Sequence, residues 1–129
     1  MSIPLLCLLF AALMVLITKV PVAMAQARES GGYDNRHPRA QQARLEGFGA
    51  RALAAHQNMI EAFPMFAAGL LAALWAGAEM QWVTGLAVVF IAARIAYTVF
   101  YLGNFHVLRS FSWGLGFFAS IGLMVLALA

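Results

Sequence analysis

"WVTGLAVVFIAARIAYTVFYLG", residues 82–103, carries one charged side chain, Arg94, in a run otherwise made of apolar, aromatic and small residues. A helix rises about 1.5 Å per residue, so a run of this length reaches across a hydrocarbon core about 30 Å thick. Working outward, three more stretches have the same character: Ile3 to Met24, Ala62 to Ala78 and Val107 to Leu128. The second is short by itself, but a helical pattern rich in Ala, Leu and Glu extends it upstream to about Ala43. The whole chain of 129 residues is 64% hydrophobic and only 10% charged, with a mean hydropathy of +0.84. Soluble domains carry charge on about a quarter of their residues. The expected fold is therefore an all-α membrane protein, one domain over residues 1–129, with four transmembrane helices near 3–27, 43–78, 82–103 and 107–128.

The net charge of +3 is concentrated in one connection. Arg28, Arg36, Arg39 and Arg44 lie in or beside the long polar stretch after the first helix, against Glu29, Asp34 and Glu46. A soluble basic face with interleaved aromatics is missing, which argues against nucleic acid as a partner. Lys and Arg are retained on the cytoplasmic side of membranes. Loops 28–44 and 103–109, the latter with His106 and Arg109, are thus expected in the cytoplasm, and both termini on the opposite, periplasmic side. "PVAMAQA", residues 21–27, looks like a signal cleavage site, yet "MSIPLL" lacks a basic residue and Lys19 interrupts the region before the cut. The first helix is expected to be retained. Cys7 is the sole cysteine, so the chain can form no internal disulfide, and in its apolar segment it reads as a small hydrophobe.

Pro21 predicts a kink in the first helix, and "ESGGYDNRHPRAQQ", residues 29–42, predicts an ordered loop or turn. Pro64 interrupts the second helix, as neighbouring helices in membranes allow. Trp75 and Trp82 bracket the next turn at interfacial positions. Small residues recur every four positions at Ala68, Ala72 and Ala76, at Gly69, Ala73 and Gly77, and at Ser112, Gly116 and Ser120. Such rows let backbones approach closely, either within one bundle or between subunits.

An ionisable group inside a membrane segment costs about 2.5–3.5 kcal/mol on insertion scales and is a site hypothesis by default. Arg51, Asn58 and Glu61 fall in the first half of the second helix. Arg94, Tyr97 and Tyr101 fall in the second half of the third, and Arg109 opens the fourth. With the topology above, all seven share the cytoplasmic half. Spacings of seven and three put the first set on one stripe, and spacings of three and four do the same for the second. Two polar stripes at one depth are expected to face each other. Three arginines against one glutamate leave a surplus of positive charge suited to an anion. The structural alternatives stand beside this: Glu61 pairing with Arg94 or Arg51 to hold the bundle, Arg109 snorkelling to the headgroups, and Tyr97 and Tyr101 as belt aromatics. His37, His56 and His106 lack metal-ligand spacing, so no metal site is expected, and His56 reads as structural.

"RALAAHQNMIEAFPMF" (51–66), followed by "ARIAYTVFYLGN" (93–104), resembles the membrane-associated proteins in eicosanoid and glutathione metabolism (MAPEG), and "GGYDNRHPRAQQARLEGFGARALAAHQN" (31–58) is similar to the bacterial branch. The resemblance covers essentially the whole chain. It implies a four-helix bundle assembled as a homotrimer in the bacterial inner membrane, with glutathione held between subunits near the cytoplasmic side. It also implies transferase or peroxidase activity toward lipophilic electrophiles or lipid hydroperoxides. By position, Asn58 and Glu61 match the glutathione-holding pair, with Arg51, Arg94 and Tyr97 among the binding residues. Arg109 matches the arginine proposed to activate the thiol, and Tyr101 is its expected orienting partner. Ala54 stands where many characterised relatives carry Arg. The alternative function is a non-catalytic trimeric membrane protein whose buried polar residues hold the assembly together.

Overall fold

The computed structural model describes residues 2–129. Its elements are α1 (Ile3–Ile17), α2 (Lys19–Ala27), α3 (Pro38–Ala43), α4 (Gly47–Trp75), α5 (Met80–Leu102) and α6 (His106–Leu126). Among the described residues there is no strand. Because α1 and α2 continue one another, four helices are long and apolar enough to cross a membrane: Ile3–Ala27, Gly47–Trp75, Met80–Leu102 and His106–Leu126.

The interruption at Thr18 has a local cause. Pro21 has no N–H to offer the carbonyl four residues earlier, and its ring crowds that carbonyl. Beside it, the Thr18 hydroxyl donates to the Met14 carbonyl at 2.8 Å. The same hydroxyl lies 3.0 Å from His56 Nδ1 on α4, so the interruption is tied to its neighbour and His56 is accounted for structurally. Pro64, by contrast, leaves α4 continuous.

The second membrane helix begins later than its sequence pattern. Residues 38–43 form the separate helix α3, and the chain turns before Gly47, whose φ of 54° lies in the left-handed region open to glycine. Asn104, at φ 64°, makes the corresponding turn between α5 and α6. Asn tolerates that region better than most residues, and the turn sets where Arg109 emerges.

The α4 and α5 helices form the central pair, flanked by α1 on one side and α6 on the other, and α1 and α6 do not touch. Met59, Phe66 and Leu70 of α4 are buried against Phe90 of α5 and Leu123 of α6. The Phe66 and Phe90 rings stack with centroids 3.9 Å apart. The small rows separate here. Gly69 and Ala73 are buried in the bundle, whereas Ala68, Ala72 and Ala76 face outward. A Cβ on Gly69 would stand 2.9 Å from the Ser120 carbonyl oxygen, so α6 can approach α4 only because that Cβ is missing. Outside, Leu5, Leu9, Leu13 and Leu16 of α1, Val88 of α5 and Phe118 of α6 are exposed. Burying no more than a third of each span's most apolar window leaves an apolar exterior that only lipid or another membrane helix can cover.

The polar connection is ordered by buried amides. Gln41 Nε2 donates to the carbonyls of Gly32 at 2.9 Å and Gln26 at 3.2 Å. Its Oε1 accepts from Gln26 Nε2 and from the Asp34 N–H, each at 3.0 Å. Asp34 Oδ1 then accepts the N–H groups of His37 and Arg36, each at 3.0 Å. These bonds, the one from His37 first, hold the Asp34 carboxyl below the ordinary carboxylate range. A depressed folded-state pKa contributes stability that is present above the unfolded value and lost as pH falls through the folded one. Amide exchange at Arg36 and His37, corrected for intrinsic rates, is therefore expected to accelerate below about pH 4. In Asp34→Asn that pH step should vanish; an unchanged profile would contradict the assignment.

Candidate functional site

Two cavities meet on the face of α6 turned toward α4 and α5. The first, of about 200 Å³, has Asn58, Glu61, Ala62 and Met65 of α4 on one wall and Phe90 and Arg94 of α5 on another, closed by Trp113, Gly116, Phe117 and Ser120 of α6. The second, of about 240 Å³, is lined by Asn58, Tyr97, Tyr101, Arg109, Ser110 and Trp113. Asn58 and Trp113 line both, so they stand at the junction.

Arg94 gives the first chamber its chemistry. The side chain is 1% exposed, and Nε and Nη2 are buried with no hydrogen-bond partner among the described residues. Its guanidinium carbon sits 4.3 Å from the centroid of the Tyr97 ring, which orients the plane without satisfying the N–H groups. Gly116 packs beside it, where an added Cβ would meet Arg94 Cδ at an ordinary contact distance of 3.4 Å. Asn58 donates through Nδ2 to Glu61 Oε2 at 3.3 Å, and its Oδ1 is buried without a partner. One chamber thus presents unused donors on a cation and unused acceptors beside a carboxylate. An unmade hydrogen bond on a buried group costs about 1–3 kcal/mol, more for a charged one. That cost is relieved by a guest carrying both an anion and a donor.

The second chamber is ordered by aromatic contacts. Arg109 lies over the Tyr101 ring, 4.4 Å from its centroid, and Tyr101 meets Tyr97 edge to face at 5.5 Å. The guanidinium of Arg109 thus rests on Tyr101 where both line the chamber. Arg109 is partly exposed and Tyr97 is buried.

Six of the seven residues read from the sequence come together here: Asn58, Glu61, Arg94, Tyr97, Tyr101 and Arg109. Arg51 does not. Its Nε donates to the Leu102 carbonyl at 3.4 Å, tying the start of α4 to the end of α5, and it lines neither chamber. The expected continuous stripe on α4 therefore breaks between Arg51 and Asn58. The α6 residues Ser110, Trp113 and Phe117 had no place in the sequence reading. For Trp113 and Phe117 the signal was helical spacing from Arg109, since positions four and eight residues later share its face, whereas Ser110 had no such signal. Gly116 and Ser120, seen first as a packing row, both pack and line the first chamber.

Fold and site together define a class: an integral membrane protein of four spans with two adjoining, partly open chambers, each lined by one arginine, among its last three helices. The chain belongs to the MAPEG family, whose model matches residues 3–129. No curated protein matches the chain.

Proposed function

We propose that the protein is a membrane-bound glutathione transferase or peroxidase that activates the glutathione thiol against lipophilic electrophiles or lipid hydroperoxides. The observation that carries this reading is the buried, unpartnered guanidinium of Arg94 facing a chamber it shares with Asn58 and Glu61. An α-amino carboxylate, such as the γ-glutamyl end of glutathione, supplies what each group lacks. Its carboxylate accepts from Arg94 Nε and Nη2, and its ammonium donates to Glu61 and Asn58 Oδ1. The peptide then runs past Asn58 into the second chamber, toward Arg109 and Tyr101.

A free thiol has a pKa of about 8.5, so a fixed cation beside it raises the thiolate fraction at neutral pH. Arg109 supplies that cation, and Tyr101 orients it and offers its hydroxyl to the sulfur. The proton leaves to water, and the thiolate either attacks an electrophilic carbon, displacing its leaving group or opening its double bond, or attacks a peroxide oxygen. The latter breaks the O–O bond to release the alcohol and leaves a sulfenic acid, which a second glutathione converts to the disulfide and water. Arg51 serves the fold rather than the ligand in this reading. The protein assembles as a homotrimer in a bacterial inner membrane, termini periplasmic and chambers near the cytoplasmic side. The outward Ala68, Ala72 and Ala76 row supports helix packing between subunits.

Isothermal titration of the detergent-purified protein with glutathione tests the reading. Saturable binding is expected, weakened about 10- to 100-fold in Glu61→Ala through loss of a charge-assisted bond. No heat of binding at millimolar glutathione would refute the proposal.

A further inference from the structure

At the opposite end of the bundle from the chambers, the turn from α4 to α5 and the last residues of α6 border a third cavity, of about 720 Å³. Glu79 and Trp82 line it, with Gly77, Leu126 and Ala127 among their neighbours. Backbone bonds fix this turn. Gly77, at φ 70°, donates its N–H to the Leu74 carbonyl at 3.2 Å, and the Ala78 N–H donates to the Ala73 carbonyl at 3.0 Å. Glu79 immediately precedes α5, yet its carboxylate makes no capping bond to that helix. Nor does it form an ion pair among the described residues. No Lys, Arg or His occurs before Lys19, between residues 57 and 93 or after Arg109, so the chain brings no basic side chain to this end. A carboxylate at the edge of an apolar bundle is thus left without a counter-charge.

We propose that this cavity binds the headgroup of an aminophospholipid of the phosphatidylethanolamine type, drawn from the leaflet at that end. The polar groups around it are acceptors. Glu79 offers two carboxylate oxygens, and the carbonyls of Leu126 and Ala127, beyond the last bonded turn of α6, accept no backbone N–H among the described residues. The negative end of the α6 dipole lies on the same side. A primary ammonium carries one positive charge and three donors, so it satisfies these groups together. Trp82 adds an indole, the ring that attracts cations best. A trimethylated ammonium keeps the charge but has no N–H to give, so phosphatidylcholine leaves the acceptors unmade. Glu79 repels a headgroup of net negative charge. Trp75 and Trp82 flank the turn and both are exposed, as rings at headgroup level are, so the cavity opens where lipid headgroups lie.

Native mass spectrometry of the whole protein tests this, in detergent micelles doped with equal amounts of dioleoyl phosphatidylethanolamine, phosphatidylcholine and phosphatidylglycerol. Retained ethanolamine lipid is expected to exceed the choline lipid roughly tenfold, as a charge-assisted hydrogen bond allows. That preference should disappear in Glu79→Gln, survive in Glu79→Asp, shrink in Trp82→Leu and be largely kept in Trp82→Phe. Equal retention of the three lipids overturns the proposal, and so does a preference unchanged in Glu79→Gln. An equal loss in Glu79→Asp and Glu79→Gln, with wild-type circular dichroism, also overturns it, because the charge would then not be what selects. A second arm separates lipid from soluble amine. Millimolar free ethanolamine should displace little of the bound lipid, and complete displacement would overturn the assignment to a lipid. Neither arm depends on whether glutathione binds at the other end.

Discussion

Arg94→Met is expected to abolish measurable glutathione binding while leaving the unliganded protein as heat-stable as the wild type or more so. Removing one partner of a buried, hydrogen-bonded charge pair costs about 2–5 kcal/mol, which is roughly 30- to several-thousand-fold in affinity. The stability half of the expectation follows from the free side chain. Arg94 is buried with Nε and Nη2 unpartnered. Each buried donor left unmade costs about 1–3 kcal/mol. Against that stands the contact with Tyr97 at 4.3 Å, worth about 1–2 kcal/mol in such a setting. The penalty is the larger, so an apolar side chain of similar length relieves more than it loses. A purely structural Arg94 predicts the reverse: a lower melting temperature and no effect on thiol binding. Glutathione at a hundred times its dissociation constant should stabilise the wild type by about 2.7 kcal/mol and Arg94→Met not at all.

For Arg109→Ala the expected loss is in chemistry rather than in binding. Without the cation held over Tyr101, a bound thiol returns toward its free pKa of about 8.5, and only a few per cent is thiolate near neutral pH. Thiolate absorbance on adding glutathione should disappear, and kcat should fall about a hundredfold. The acid limb of the rate profile should move to higher pH, so that alkaline buffer recovers much of the lost rate. Arg109→Lys keeps a charge without the planar guanidinium and should fall between. An unmoved pH profile would show that Arg109 does not act on the thiol. Because the amino-carboxylate end is assigned to the first chamber, which Arg109 does not line, the dissociation constant should change far less than kcat.

The four spans and the polar first connection were legible in the sequence. Composition and run length set these directly, because hydrocarbon thickness fixes how many apolar residues a span needs. Periodicity also placed Asn58 with Glu61, and Arg94 with Tyr97 and Tyr101, on shared faces, since residues three and four apart are neighbours on any helix. Pro21 pointed to a disturbance of the first helix, but the position of the interruption at Thr18 and the bond to His56 required knowing which helix lies alongside.

Rotation and crossing of the helices decided the rest. Arg51 and Asn58 are seven residues apart, yet Arg51 turns to the Leu102 carbonyl because its end of α4 meets the end of α5 rather than α6. Of two small rows on α4, Gly69 and Ala73 went inward and Ala68, Ala72 and Ala76 outward, a choice of about a hundred degrees per residue of rotation that hydropathy does not register. Nor does Arg94 announce in sequence that its guanidinium lacks a partner, or Trp113 that it joins two chambers. Hydrophobicity is a property of each segment and acts without direction, so the chain alone determined that it crosses a membrane and which segments do so. Hydrogen bonds, ring contacts and cavities belong to pairs of segments at defined angles. Only the packed bundle decided which buried charge stayed unsatisfied.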